Sequence, residues 1–181
     1  GIWDAVRLES ARHFFVEGHY AQGDERGDGK LTLRLIHTKS KRPVQVTGRI
    51  LDPYGAPAAE ICHICVQEET EIGFHVETPL LWSPGTPCLY RYDLLLSDGE
   101  TQLELENTFG FRTIRGEKSR VLMNGNPIYP RGILHWGCYE EITPAPGADV
   151  IRDEIRKVRR YGFNMIKHCL YIPREGYFRL A

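Results

Sequence analysis

In separate runs between Leu31 and Leu105 apolar residues recur at every second position, and this period limits what the chain can become more than any other feature. Leu31, Leu33 and Leu35 alternate with Thr32 and Arg34, and Val44, Val46 and Ile50 alternate with Gln45, Thr47 and Arg49. Ile72, Phe74 and Val76 keep the same step, followed by Tyr90, Tyr92, Leu94 and Leu96, then Leu103 and Leu105. Successive side chains of a strand point to opposite faces, so each run can bury one face and wet the other. Turn chemistry separates the runs at Gly27-Asp28-Gly29, Asp52-Pro53-Tyr54-Gly55 and Ser97-Asp98-Gly99. Short strands with such turns between them predict an antiparallel β-sandwich over 11–115.

A sandwich of that size is immunoglobulin-like in architecture, although the Cys-Trp-Cys pattern of antibody domains is missing. Beyond Arg115-Gly116-Glu117-Lys118 the pattern changes. Val121-Leu122-Met123 and Ile128-Tyr129 flank an Asn124-Gly125 turn, which predicts a hairpin. A helix follows, with Ile151, Ile155 and Val158 on one face and Arg and Glu residues on the other. Asp149 can cap its start, or Pro146-Gly147 can lead into it, and Gly162 suits its end. An apolar strand at 164–170 and a second helix opened by Pro173-Arg174-Glu175 complete a strand-helix-strand-helix order. That order predicts a parallel βαβα arrangement. Two such units leave sheet edges and a face uncovered, so they form only the first part of a larger domain. The face of Ile151, Ile155 and Val158 is expected to need a partner, and a second copy of the chain is one candidate.

Composition removes several classes of function. The 181 residues carry 23 Lys+Arg against 24 Asp+Glu, a balance that gives no electrostatic footprint for nucleic acid or for an anionic membrane. No apolar run approaches the roughly 18 residues of a membrane span, and no basic-then-apolar start reads as a signal peptide. The chain begins at Gly1 rather than Met, so an upstream segment is expected. Five cysteines, an odd and scattered set, fit reduced thiols and favour the cytoplasm. Cys62-His63-Ile64-Cys65 has the spacing of half a zinc site, but the segment alternates like a strand and no second pair follows. The strand reading is preferred. Neither a metal nor a cofactor is expected.

Five segments, in order, resemble glycoside hydrolase family 2. "GIWDAVRLE" at Gly1–Glu9 is similar to the closing strand of that family's sugar-binding sandwich. "PLLWSPGTPCLY" at Pro79–Tyr90 and "FGFRTI" at Phe109–Ile114 resemble segments of its immunoglobulin-like domain. "LMNGNPIYPRG" resembles the approach to its catalytic (β/α)8 barrel, and "IRDEIRKVRRYGFNMIKHCLYIP" resembles the first helix and second strand of that barrel. The resemblance implies a closing strand of a preceding domain at 1–10, an immunoglobulin-like sandwich at 11–115 and the start of a barrel at 116–181. In Leu81-Trp82-Ser83-Pro84 the proline ends a strand, and Trp82 can lie over the end of the sandwich as an apolar lid. Phe109 and Phe111 read as core.

Reacting groups of barrel enzymes stand where strands end, on the C-terminal face. By that rule the segment after the first strand, with His135, Trp136, Cys138, Glu140 and Glu141, faces the cleft, as does the end of the second strand with Lys167 or His168, Leu170 and Tyr171. Arg131, Lys167, His168, Tyr171, His135 and Trp136 are the candidate substrate contacts. An indole face stacks on a pyranose, and an imidazole bonds sugar hydroxyls. Each histidine also has a plainer reading, as a ring satisfied within the fold. The family resemblance implies a retaining β-glycosidase acting on terminal β-linked sugars. Such enzymes hold two carboxyls about 5–5.5 Å apart, one an acid/base and one a nucleophile. In the family both belong to later strands, so neither catalytic carboxyl is expected in this span. Glu140 and Glu141 match neither role, since neighbours on an extended loop point apart.

The chain also departs from the family pattern. Ile133-Leu134-His135 stands where V-N-x-H is common, and Lys167 and Leu170 stand where many members carry Arg and His. Those differences argue against a standard galactoside or glucuronide specificity. They also keep open a rival reading, a non-catalytic carbohydrate-binding or spacer sandwich.

Overall fold

A computed structural model describes residues 6, 8, 10–38, 42–139 and 146–181. The Gly1–Glu9 resemblance therefore falls largely outside the described residues, and Glu140 and Glu141 fall wholly outside them. One compact unit covers Glu9–Pro127, and the other includes Ile128–Ala181.

The first unit is an antiparallel sandwich. One sheet contains β1 (Phe14–Gly23), β2 (Asp28–His37) and β5 (Glu69–His75), in the order β1-β2-β5. The other contains β3 (Val44–Leu51), β4 (Pro57–Cys65), β6 (Tyr90–Ser97) and β7 (Gln102–Phe109), in the order β4-β3-β6-β7. The alternating residues fill the space between the sheets. Leu31, Leu33, Val44, Val46, Ile50, Tyr92 and Leu96 have no accessible surface. Each such side chain contributes on the order of 1.5–3 kcal/mol by leaving water. Phe74, Tyr90, Phe109 and Phe111 join them as edge-to-face and tilted ring pairs, with Tyr90 and Phe111 at 4.8 Å.

β1 lacks a clean period because its register shifts between Val16 and Gly18. The extra residue, Glu17, is a bulge that turns the side chains over. In β4, Cys62 is exposed and Cys65 is buried, as expected for strand positions three apart. They lie on opposite faces of the sheet and cannot converge on one ion.

Trp82 is partly buried, with the Arg112 guanidinium 4.7 Å from its ring centre. Three short strands follow the sandwich sheets: β8 (Ile114–Glu117), β9 (Arg120–Met123) and β10 (Asn126–Ile128), in the order β10-β9-β8. The hairpin from β9 to β10 turns at Asn124 and Gly125, both at positive φ, 50° and 76°, the signature of a type I′ turn. Asn124 also fastens the turn in place. Its amide donates to the carbonyl of Thr113 at 2.9 Å, its Nδ2 donates to the carbonyl of Trp82 at 3.0 Å, and its Oδ1 accepts from Thr113 N–H at 2.9 Å.

In the second unit, β11 (Gly132–His135) pairs in parallel with β12 (Met165–His168), and α1 (Ala148–Arg160) connects them. α2 (Glu175–Leu180) follows. Gly147 occupies the N-cap of α1, in line with the Pro146-Gly147 lead-in, while Asp149 lies inside the first turn and pairs with Arg152 at 2.9 Å. The helix ends in a Schellman motif. Phe163 N–H donates to Val158 O at 3.1 Å and Gly162 N–H to Arg159 O at 3.0 Å, with Gly162 at φ 82°. Ile151 and Ile155 cluster with Tyr177, Ile166 and Leu180. Ile151 and Ile155 are thus covered within their own unit.

Candidate functional site

β11 and β12 each alternate between exposed and half-buried positions, in register: Ile133 beside Ile166, Leu134 beside Lys167, His135 beside His168. Ile166 belongs to the α1–α2 cluster, so Ile133, His135, Ile166 and His168 point toward the helices. Leu134 and Lys167 occupy the other face. The two histidines and the lysine expected in one cleft are therefore divided between two sides of the sheet.

On the helix side the histidines enter a polar-aromatic cluster. His135 Nδ1 accepts a hydrogen bond from Gly137 N–H at 3.0 Å. The neutral ring therefore carries its proton on Nε2, which donates to Glu154 Oε1 at 2.9 Å. The hydroxyl of Tyr177 donates to the same oxygen at 3.0 Å, and that of Tyr139 to Oε2 at 3.1 Å. Burial and then the charge of Glu154 hold both phenols protonated far above the usual tyrosine range. Burial also raises Tyr171. His168 makes an edge-on contact with Tyr177 at 4.6 Å. Its Nδ1 is buried without a hydrogen-bond partner among the described residues. Burial depresses its pKa and His135 depresses it further, with Glu154 opposing, so the ring is neutral at ordinary pH.

Past the strand ends, Cys169 N–H donates to His135 O at 2.8 Å, extending the parallel pairing by one bond. Gly137 sits at φ 70° directly against the Tyr171 ring. A Cβ placed there would lie 2.6 Å from Tyr171 Cγ, so only glycine leaves room for the ring. Trp136 is half exposed. Leu170 has a φ of 54° and is almost fully exposed, an unusual conformation for a bulky side chain. Cys138 is exposed, with its Sγ 3.9 Å from Trp136 O.

Arg131 stands at the opposite end of β11. Its Nε donates to Gly162 O at 2.6 Å and its amide to Asn164 Oδ1 at 2.8 Å, which clasps the end of α1 to the start of the strand. That placement removes Arg131 from the group at the strand ends, where Trp136 and Tyr171 remain.

No sequence pattern singles out Glu154, Tyr139 and Tyr177. Glu154 sits among the charged residues of an amphipathic helix, where a solvated face is the ordinary expectation. Its one signal is position, next to Ile155 at the border of the apolar stripe. Between β11 and α1, Ile133, Tyr139, Val150, Val158, Tyr161 and Phe163 contribute to the lining of a groove of about 450 Å³.

The profile of Glycosyl hydrolases family 2 matches residues 11–112, more than half of the chain. The chain belongs to glycosyl hydrolase family 2. Among its family 2 relatives, a beta-galactosidase from Enterobacter cloacae is 30% identical over 108 residues, which is 59% of this chain and 10% of that protein. A beta-galactosidase from Vibrio cholerae serotype O1 is 25% identical over 181 residues, 97% of this chain and 16% of that protein. The chain thus spans well under a fifth of either enzyme. Among solved structures, Parabacteroides merdae beta-glucuronidase superposes with a TM-score of 0.79 at 20% identity, covering 93% of this chain and 22% of that one. A beta-glycosidase from Bacteroides vulgatus gives 0.74 at 21% identity, over 93% and 22%. At this identity the two superpositions establish a shared fold, and their 93% coverage carries it past the residues of the family match.

Proposed function

We propose that this family 2 chain is part of a β-glycosidase that hydrolyses terminal β-linked sugars with retention of configuration. In this reading the sandwich over 11–115 is the immunoglobulin-like domain, residues 116–181 begin a (β/α)8 barrel, and residues 1–10 close a preceding sandwich. The observation that carries the reading is the parallel β11-α1-β12 unit, whose two strands end together beside Trp136 and Tyr171. Barrel enzymes bind at that end of their strands. Trp136 offers an indole face for a pyranose, Tyr171 a hydroxyl-bearing ring, and Lys167 a charge on the sheet face away from the helices. His135 and His168, turned toward the helices, support these groups from behind. The acid/base and nucleophile carboxyls belong to later strands, so the 181 residues alone should not turn over substrate.

Full-length protein assayed against a panel of aryl β-glycosides tests this directly. Release of a β-configured sugar from at least one of them is expected, and inactivity against all would defeat the proposal. The apolar Leu134 and Leu170 favour a second reading, a barrel that binds carbohydrate without cleaving it. Saturable sugar binding without hydrolysis would select that alternative.

A further inference from the structure

A carboxylate on the outer side of an amphipathic helix is ordinarily solvated. The Glu154 side chain is 17% exposed and accepts from donors on three segments: His135 at the end of β11, Tyr139 in the loop beyond it, and Tyr177 on α2. Hydrogen bonds to an ionised acceptor are shorter and about twice as strong as neutral ones. The donors bracket the half-exposed rim. His135 and Tyr139 flank Trp136 and Gly137, Gly137 lies against the Tyr171 ring, and the His135 ring stands 6.0 Å from that of Tyr171.

We propose that Glu154 is a positioning residue for the sugar-binding rim, an anionic post that fixes Trp136 and Tyr171 through His135 and Tyr139. The proposal rests on the glycosidase reading above. Glu154 exchanges no proton with substrate. It acts from the helix side of the sheet, while Lys167 lies on the other side. His135 thereby becomes part of the support rather than a sugar contact. Glu154→Gln nearly preserves size, but it removes the charge and replaces one acceptor oxygen with an amide donor. Tyr139 must then accept from that amide rather than donate, and all three charge-assisted bonds become weaker neutral ones.

The test uses the full-length protein and the aryl β-glycoside it cleaves best. Displacing a positioned group can cost on the order of a hundredfold, so Glu154→Gln should lower kcat/KM by about ten- to a hundredfold, mainly through KM. Tyr139→Phe keeps the ring and deletes one donor, and should lower kcat/KM less. In a spectrophotometric titration, the tyrosines that ionise last in the wild type should ionise at lower pH in Glu154→Gln. An unchanged kcat/KM in Glu154→Gln overturns the proposal. Should that variant not fold, an unchanged kcat/KM in Tyr139→Phe overturns it instead. A wild type that cleaves no glycoside defeats the functional reading, and the titration then decides on the post alone: tyrosine ionisation unmoved by Glu154→Gln rejects it.

Discussion

Where the sandwich buries Leu31, Leu33, Val44, Val46, Ile50 and Leu96 almost completely, the Ile128–Ala181 unit buries a few aliphatics of α1 and then closes around a carboxylate and two imidazoles. Apolar burial is non-directional and tolerates many partners. A hydrogen-bonded carboxylate fixes its donors at set distances and angles, and leaving any of them unpaired is costly. The first arrangement suits a domain that has to be stable. The second suits a short unit that has to hold particular side chains in place at the end of two strands.

Substitutions that strike one side of this contrast should sharpen it. The largest effect is expected from Phe111→Ala, which removes a fully buried ring in contact with Phe74, Tyr90 and Phe109. A loss of about 3–5 kcal/mol should appear in urea denaturation. Gly137→Ala comes next. The positive φ and the Tyr171 ring both oppose a Cβ, so about 1–3 kcal/mol of strain should disturb the rim. In a full-length enzyme kcat/KM would fall, while the sandwich would keep its own unfolding transition.

Much of the sandwich was legible in the sequence, and the reason lies in particular residues. Leu31, Leu33 and Leu35 announce β2 because one face is wholly dry. β1 is harder to read, since the bulge at Glu17 breaks its period, and β8 is exposed along its entire length, which erases the pattern. The Asn124-Gly125 turn of the first unit and the helix face of the second were readable, whereas the histidines, expected in the cleft, turn toward the helices. The role of Glu154 was not readable, because its burial comes from Tyr139 and Tyr177, which no local spacing brings to it. Arg131 is the converse case: motif position put it with the cleft, and its bonds to Gly162 and Asn164 put it at the other end of the strand.

Acid should act on the sandwich through Asp98. Hydrogen bonds from the Thr101 and Glu100 amides and from His13 hold its pKa down to about 2. A depressed carboxylate stabilises the fold fully above its unfolded value of about 3.9 and loses that contribution as pH falls toward the folded one. Stability should therefore decline between about pH 4 and pH 2, and Asp98→Asn should make that part of the pH profile shallower. The smallest effect is expected from His168→Phe. The buried Nδ1 has no partner to lose among the described residues and the edge-on contact with Tyr177 is retained, so the melting temperature should stay level or rise.

The account places the sugar at the ends of β11 and β12, and Trp136 is its most exposed aromatic group there. The most direct measurement is kcat/KM of full-length Trp136→Ala against the aryl β-glycoside that the wild type cleaves best, alongside its melting temperature. The account predicts a fall on the order of tenfold, about 1.4 kcal/mol of transition-state stabilisation, with the melting temperature essentially unchanged. A variant as active as the wild type would contradict it.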